Sequence, residues 1–498
     1  MIGFESNASW ASTLLPVRAV LSEALSDCYS LTLDLFAASA SLDPVDALNQ
    51  KASVRLEVEE SRGTKSRTIS GVITEMSLAG VLPGARFWYR LVLVPRLALL
   101  DRTRRSRVFC TEKHAKVGDV ITEILDKAEG AELSSADSEK RLQSTAYPTR
   151  DMIVQYNESD LAFLSRLAED SGIFYFFAAG EGAEKIVFAD ANAVFPRLGG
   201  DASASALAYR PSVGIADRGP AVRSAALKTR LVTKSVRLNE RFYEQPEIIL
   251  KVVAAGDPNG VGLLSSDERE AYREAGWGQA LADIRAEEAI AGHAVLEGES
   301  DCVSFAAGTV FTLERHPDQR MNGSYIMVSV EHRAWESAAG IEHLPGPGPQ
   351  GGGYWNSFTA IPHATVFRPA RRTPWPCIPG LMRAMIDGVD FLRSNVDPLG
   401  CYRIKFPFDT AERAPGRSSC PVRLITPYGG PAEGFHFPLR AKTEVMIAFH
   451  NGDPDRPVIV GPLYDATQKS VVSERNRTAN VISTVTGITI TMNDGTAR

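Results

Sequence analysis

The chain is short of everything that usually marks a catalytic or metal centre. None of its eight histidines sits in an H-E-x-x-H array. Its six cysteines, Cys28, Cys110, Cys302, Cys377, Cys401 and Cys420, include no C-x-x-C pair. Neither a zinc ribbon nor a thioredoxin-type redox site is therefore expected. In a chain of 498 residues such usage fits a reducing compartment, with the thiols packed as small apolar groups. There is no G-x-S-x-G elbow, no G-x-x-x-x-G-K-[ST] loop, and no G-x-G-x-x-G following a strand. Among sixty acids no spacing marks out a glycosidase-like pair. The sequence thus nominates no catalytic, cofactor-binding or metal-ligating residue, and no cofactor.

A strong basic charge is missing too. The formal net charge is -6 and the pI about 5.9, whereas a protein whose main partner is nucleic acid is usually basic. The clusters "RTRRSR" (Arg102 to Arg107) and "RPARR" (Arg368 to Arg372) are short and read as solvated loops or strand ends. No apolar run reaches the roughly 20 residues that a membrane helix needs. The N-terminus "MIGFESNASWASTLLPV" has no basic leading segment and carries Glu5, so it does not read as a signal peptide.

What the chain has in abundance is alternation. "YSLTLDLF" (29–36), "SVRLEVEE" (53–60), "FWYRLVLVP" (87–95), "RLVTKSVRLNE" (230–240), "EIILKVVAAG" (247–256), "TVFTLERH" (309–316) and "YIMVSVEHRAW" (325–335) place apolar residues at about every second position. That is the period of strands with one buried face. Three helical stretches interrupt them, near 117–129, 158–171 and 265–291. The second has Asn157 as a cap, Leu161, Leu164, Leu167 and Ala168 as a stripe, and Gly172 as a left-handed stop. The third is weakened by Gly276 and Gly278. Length alone gives a prior of roughly three domains.

"LPGPGPQGGG" (344–353) has the composition of a mobile loop. "RPARRTPWPCIPG" (368–380) is stiff and proline-rich, and is the better domain boundary. The short strand-like runs beyond it suit a small closed barrel. The last stretch, "NVISTVTGITITMNDGTA" (480–497), alternates Ile, Val and Met with Thr and Ser. One strand pair cannot bury its own apolar face. It needs partners from other copies of the chain, or else it is an edge hairpin on the preceding barrel.

One stretch has a chemical look: "HNGDPDRPVIVGPLYDA" (450–466). Asp453 and Asp455 begin like a calcium loop, but Pro457 and Val458 stand where a third oxygen ligand and a glycine are required. The simpler reading is a chain reversal between strands, with Arg456 able to pair with either aspartate. His316 and His332 end two strand-like runs and read as structural histidines.

Several long segments, in order, resemble the VgrG family, the trimeric spike proteins of type VI secretion and related contractile injection systems. They are "YRLVLVPRLALLDRTRRSRVF" (89–109), "VQYNESDLAFLSRLAEDSGIFYFF" (154–177), "GTVFTLERHP" (308–317), "FRPARRTPWPCIPG" (367–380) and "GDPDRPVIVGPLY" (452–464). The resemblance implies a mainly β fold with a few inserted helices. Residues 1–370 would be a phage tail hub-like domain with two β-barrel units, 371–380 a linker and 381–466 an OB-fold. Residues 467–498 would begin an intertwined trimeric β-helix or β-prism. It also implies a homotrimer that caps an Hcp-like tube hexamer, carries a PAAR-type tip protein or effector, and contacts baseplate proteins. Contact with the target membrane would be transient, with no nucleic acid bound. Such a spike is assembled in the bacterial cytoplasm and expelled on firing without a signal peptide. The chain departs from the family pattern at Cys401, usually arginine, and at Phe408 and Pro421, usually tryptophans. Against the family pattern its β-helix would be short, either a natural short spike completed by a separate tip protein or a trimmed one, with only a short segment at 465–480 where the phage needle carries a lysozyme and no effector domain expected within these residues. Two other functions remain in play: an enzyme-bearing spike acting on cell-wall polymer, and a free-standing OB-fold binder of carbohydrate or nucleic acid. The second would stack bases on Tyr402, Phe406, Phe408 or Tyr428.

Overall fold

The alternating stretches become strands, and their pairing sets the architecture. The structure, a computed structural model, describes the chain apart from residues 9, 39–41, 61–62, 84–85, 111–115, 144–146, 148, 180–183, 201–204, 212–218, 338–351, 390–393 and 497–498. The loop expected at 344–353 therefore lies, up to residue 351, outside the described residues. In chain order the strands begin with β1 (Ile2–Ser6), β2 (Leu14–Ala24), β3 (Ser30–Ala37), β4 (Lys51–Glu60), β5 (Gly63–Leu82) and β6 (Arg86–Val94). There follow β7 (Arg104–Phe109), β8 (Ser138–Arg141), β9 (Ile153–Ser159), β10 (Phe174–Ala179), β11 (Glu184–Ala189), β12 (Ala206–Tyr209) and β13 (Ala221–Thr229). Next come β14 (Ser235–Glu240), β15 (Leu250–Ala255), β16 (Leu263–Asp267), β17 (Ala294–Ser300), β18 (Val310–Glu314), β19 (Gly323–Trp335) and β20 (Gly353–Pro362). The last are β21 (Met382–Ile386), β22 (Ile404–Lys405), β23 (Glu444–Phe449), β24 (Pro457–Pro462), β25 (Ala479–Ser483) and β26 (Thr489–Asn493).

Two compact units are built from these, and neither is continuous in sequence. The first holds Met1–Thr103, Ile121–Tyr147 and Asp160–Pro374. The second holds Arg104–Val120, Pro148–Ser159 and Trp375–Arg498. These packing units draw residues from both sides of the division at 370 and 380 expected from the sequence. Two pieces from the N-terminal part belong with the C-terminal unit.

In the first unit twelve strands form one sheet, in the order β1-β4-β5-β6-β3-β2-β19-β18-β12-β13-β17-β20. β20 also pairs with β19, so the last six strands close into a barrel. The first six form the other half, in which β1 lies against β2. This is the double barrel-like arrangement that the resemblance implied. β19 serves both halves. Its Gly323–Ile326 segment pairs with β18, and beyond a bulge at Met327/Ser329 its remaining residues pair with β2. Each half has its own apolar core: Leu31, Leu33, Leu91 and Leu93 in the first, and Phe305, Phe311, Met327 and Phe358 in the barrel.

The helices are shorter than their patterns suggested: α1 (Val117–Asp126), α2 (Asp160–Asp170) and α3 (Ala275–Ala291). Asn157 does not cap α2. It lies in β9 with φ 51°, its amide donating to Ser106 Oγ at 2.9 Å. Gly172 does end the helix in the left-handed region, at φ 69°. Helix from 265 is overturned, because residues 263–267 pair as a parallel edge strand with β14. α3 packs on the β15-β14-β16 sheet, burying Leu281, Ala282 and Ala286 against Val236, Leu238 and Leu250.

The second unit has a four-stranded sheet, β22-β21-β23-β24, and a β7-β9 ribbon. Regular strand is sparser than expected. "CYRIKFPFD" yields two strand residues, and "PVRLIT" contributes only the isolated bridges Tyr402↔Val422 and Leu424↔Ile459. Pro407 and Pro421 remove the amides a ladder would need. The core still closes. Val108, Met152 and Val154 from the ribbon are buried with Tyr402, Phe406, Val445, Ile447 and Ile459.

Candidate functional site

The stretch that looked chemical folds as a clasp. β23 ends in a reversal with Asn451 at φ 53° and Gly452 at φ 76°, and the chain returns as β24. Asp453 Oδ1 accepts from the Asp455 amide at 3.0 Å and from Trp375 Nε1 at 3.3 Å. The Gly452 carbonyl accepts from the Ile378 amide at 2.8 Å. A Cβ at Gly452 would stand 2.4 Å from Cys377 Sγ, so glycine serves both its conformation and that contact. Asp455 Oδ1 accepts from the Val154 amide of β9 at 2.6 Å. The turn thus grips the end of the proline-rich linker with one aspartate and the ribbon with the other. The Arg456 backbone closes the loop, its amide donating to Asp453 O at 3.0 Å and its carbonyl accepting from His450 at 2.9 Å. No group of His, Cys, Asp and Glu able to hold a metal occurs among the described residues.

The linker's other end is fastened within the first unit. Arg368 donates to Glu287 at 2.7 Å and to the carbonyls of Asp190 and Gly172 at 2.8 and 3.0 Å. Arg371 reaches Glu270 and Glu288. Glu169, its carboxyl pushed up by burial, accepts from the Thr373 amide and hydroxyl at 3.0 and 2.9 Å. Arg368 and Arg371 of "RPARR" thus meet carboxylates of this chain.

The C-terminal hairpin presents the opposite character. β25 and β26 pair from Ala479↔Asn493 to Ser483↔Thr489. Ile488, Ile490 and Met492 are 67%, 57% and 58% exposed. A lone hairpin with these side chains in water is marginal.

A trough of about 840 Å³ in the first unit runs over β2, β13, β17, β19 and β20, and Glu23, Asp27, Glu297, Glu299 and Glu331 are among the residues that line it. It is the natural place to look for a glycosidase. A general acid there needs a raised pKa. Glu23 is instead drawn down to about 2: burial raises it, and the Arg67 charge with hydrogen bonds from Arg67 and His332 overcomes that. Glu297 pairs with Lys228, and Glu331 with Arg333. The histidines have separate surroundings. His316 packs on Tyr209 with ring centroids 4.4 Å apart, and His332 is buried beside Glu23 and Arg67. Of the aromatics proposed for base stacking, Tyr402 and Phe406 are buried and Phe408 packs on Tyr156 and Phe406. Tyr428 alone of the four is exposed. In place of the usual arginine, Cys401 is buried, its amide held by Asp397 at 2.8 Å.

Trp375 and Val154 were not singled out from sequence, because their partners lie 78 and 301 positions away. No local pattern reports such contacts.

Residues 22–338 match the family model of the phage tail baseplate hub (GPD), and residues 391–464 that of the type VI secretion system/phage-baseplate injector OB domain. Over 475 residues the chain is 29% identical to the type VI secretion system spike protein VgrG5 of Pseudomonas aeruginosa, covering 93% of this chain and 57% of that protein. Over 422 residues it is 28% identical to the actin cross-linking toxin VgrG1 of Vibrio cholerae, covering 84% of this chain and 37% of that protein. The chain thus spans roughly two fifths to three fifths of the length of these curated relatives. Among solved structures it is similar to the E. coli c3393 protein, a component of the type VI secretion system with structural similarity to T4 bacteriophage tail proteins gp27 and gp5. The TM-score is 0.65 at 22% identity, covering 93% of this chain and 100% of that one. No helix among the described residues is long and apolar enough to cross a membrane.

Proposed function

The chain belongs to the phage tail baseplate hub family, and we propose that it forms the hub and spike base of a contractile injection machine of the type VI secretion kind. Three copies cap an Hcp-like tube hexamer, meet baseplate proteins, and puncture the target envelope to deliver a PAAR-type tip protein or effector. In this reading residues 1–370 supply the hub, 371–380 the linker, 381–466 the OB-fold, and 467–498 the first strands of a three-chain spike. The spike assembles in the bacterial cytoplasm and leaves with the tube on firing, and this portion carries no enzymatic activity.

The observation that carries the reading is the C-terminal hairpin, whose apolar residues are exposed among the described residues. Two further copies supply neighbours for it and reduce its open edges. The clasp at Asp453 and the fastened linker suit a part that transmits axial force without unfolding. Light scattering on the purified protein tests this. A mass three times that of the 54.0 kDa chain is expected. A monomeric mass for protein with native circular dichroism overturns it. Clearing of a peptidoglycan zymogram by this chain would overturn the non-catalytic part.

A further inference from the structure

The segment 368–374 closes the first unit in sequence, and Trp375 opens the last stretch of the second. Arg368 fixes its start, on Glu287 and the carbonyls of Gly172 and Asp190. The stretch after it is held differently, by carboxylates that two arginines share. Glu270 stands between them. Its Oε1 accepts from Arg371 Nη1 at 3.2 Å and its Oε2 from Arg285 Nη2 at 3.1 Å. Glu288 of α3 is shared as well. Its Oε1 accepts from the Arg371 backbone amide at 3.1 Å. Its Oε2 lies 3.3 Å from Arg371 Nε and 3.9 Å from Arg285 Nη1.

Arg285 is the less well served of the two. Its side chain is 1% exposed, yet Nε and Nη1 have no hydrogen-bond partner among the described residues. Nη2 carries all its bonds, to Glu270 and to the carbonyl and carboxylate of Asp170 at 2.8 Å each. Nε and Nη1 bear most of a guanidinium's N–H groups. Buried donors left without acceptors are costly. An acceptor for them is close by. Arg285 and Glu288 stand at i and i+3 on α3, so their side chains share one helix face. A shift of about 1 Å brings the Glu288 carboxylate to hydrogen-bond distance of Nη1. Arg371, 32% exposed, draws it the other way.

The turn that carries Glu270 does not depend on Arg371. Glu268 and Ala271 on either side of it have left-handed backbone, φ 52° and 53°. Residues other than glycine keep that conformation only where their surroundings enforce it. Here the Ala271 amide donates to Glu240 at 2.8 Å, and Arg285 holds Glu270 itself.

We propose that 371–374 is a releasable strap, because Glu288 passes from Arg371 to Arg285. When Arg371 leaves, Glu288 Oε2 closes on the idle Nη1 of Arg285, and Glu270 keeps its bond to Nη2. Neither carboxylate is stranded without a cation, so release costs less than breaking a sole buried ion pair. Thr373 is the strap's second hold, on Glu169. Burial already pushes that carboxyl toward its protonated form, so it tolerates the loss of its donors. Arg368 stays fastened. The freed residues give the chain about 13 Å of slack ahead of Trp375. The device works within one chain and needs no second copy.

Hydrogen exchange on the full-length protein reads the strap, at the amides of 370–373, separately from α3. In Arg371→Ala the strap should exchange about tenfold faster while α3 keeps its protection. Strap and helix loosening together, or an unchanged strap, overturns the proposal. Adding Glu288→Ala to Arg371→Ala tests the handover itself. Alanine is the better helix former, so any loss is not one of propensity. The amides of α3 should exchange about tenfold faster again, because Glu288 then serves Arg285. No further loss means that Glu288 had not moved, and overturns the handover. If the double variant does not fold, the wild type decides. Raising sodium chloride from about 0.1 to about 1 M weakens the partly exposed Arg371 contacts before the buried Arg285 ones. Faster exchange in the strap with α3 unchanged supports the strap, and equal responses overturn it.

Discussion

Val154 donates its backbone N–H to the carboxylate of Asp455 at 2.6 Å, across 301 positions of sequence. One residue belongs to the hub match and the other to the OB match, yet both lie in the same compact unit. Replacing Asp455 with Ala leaves a buried amide without its acceptor, and should cost about 1–3 kcal/mol in urea unfolding. Asp455→Asn keeps an oxygen there and should cost less. Equal losses in the two variants would argue against this bond as the cause.

Gly452→Ala meets two penalties, a left-handed φ of 76° and the Cys377 sulfur 2.4 Å from the new Cβ. About 1–3 kcal/mol of destabilisation is expected from the backbone alone. Cys377→Gly in the same chain should restore the steric share. A double-mutant cycle over both positions should show coupling of at least about 0.5 kcal/mol.

Glu23→Gln should be strongly destabilising at neutral pH, by about 3–5 kcal/mol, because it strands the Arg67 charge. The sign with pH follows from a folded value near 2 against an ordinary value of 4.5. The carboxylate's stabilisation is complete above about 4.5 and is lost as pH falls toward 2. Acid titration of the wild type should show this loss, and Glu23→Gln should lack it.

Ile490→Lys puts a charge among the exposed apolar side chains of the β25–β26 hairpin; Ile490 is 57% exposed. The variant should keep the single chain's melting behaviour but should not give the trimeric mass in light scattering. A variant that remains trimeric would place the contacts that join the copies elsewhere.

The sequence by itself determined the class of the fold. Period-2 alternation marked "YSLTLDLF" and "YIMVSVEHRAW" as strands because adjacent side chains point to opposite faces, and that holds before any partner is known. It also showed that the last hairpin cannot bury its own apolar face, and that the third oxygen ligand and the glycine of a calcium loop are missing after Asp453 and Asp455. It misread 265–274 as helix, since Leu263–Asp267 is recruited by β14, a pairing no local pattern carries. Only the tertiary structure decided that β7 and β9 complete the C-terminal core, that Asp453 and Asp455 hold the linker and the ribbon, and that Glu23, Arg67 and His332 converge. Each of these joins residues tens to hundreds of positions apart, and their energies come from burial and charge pairing that exist only once the chain has closed.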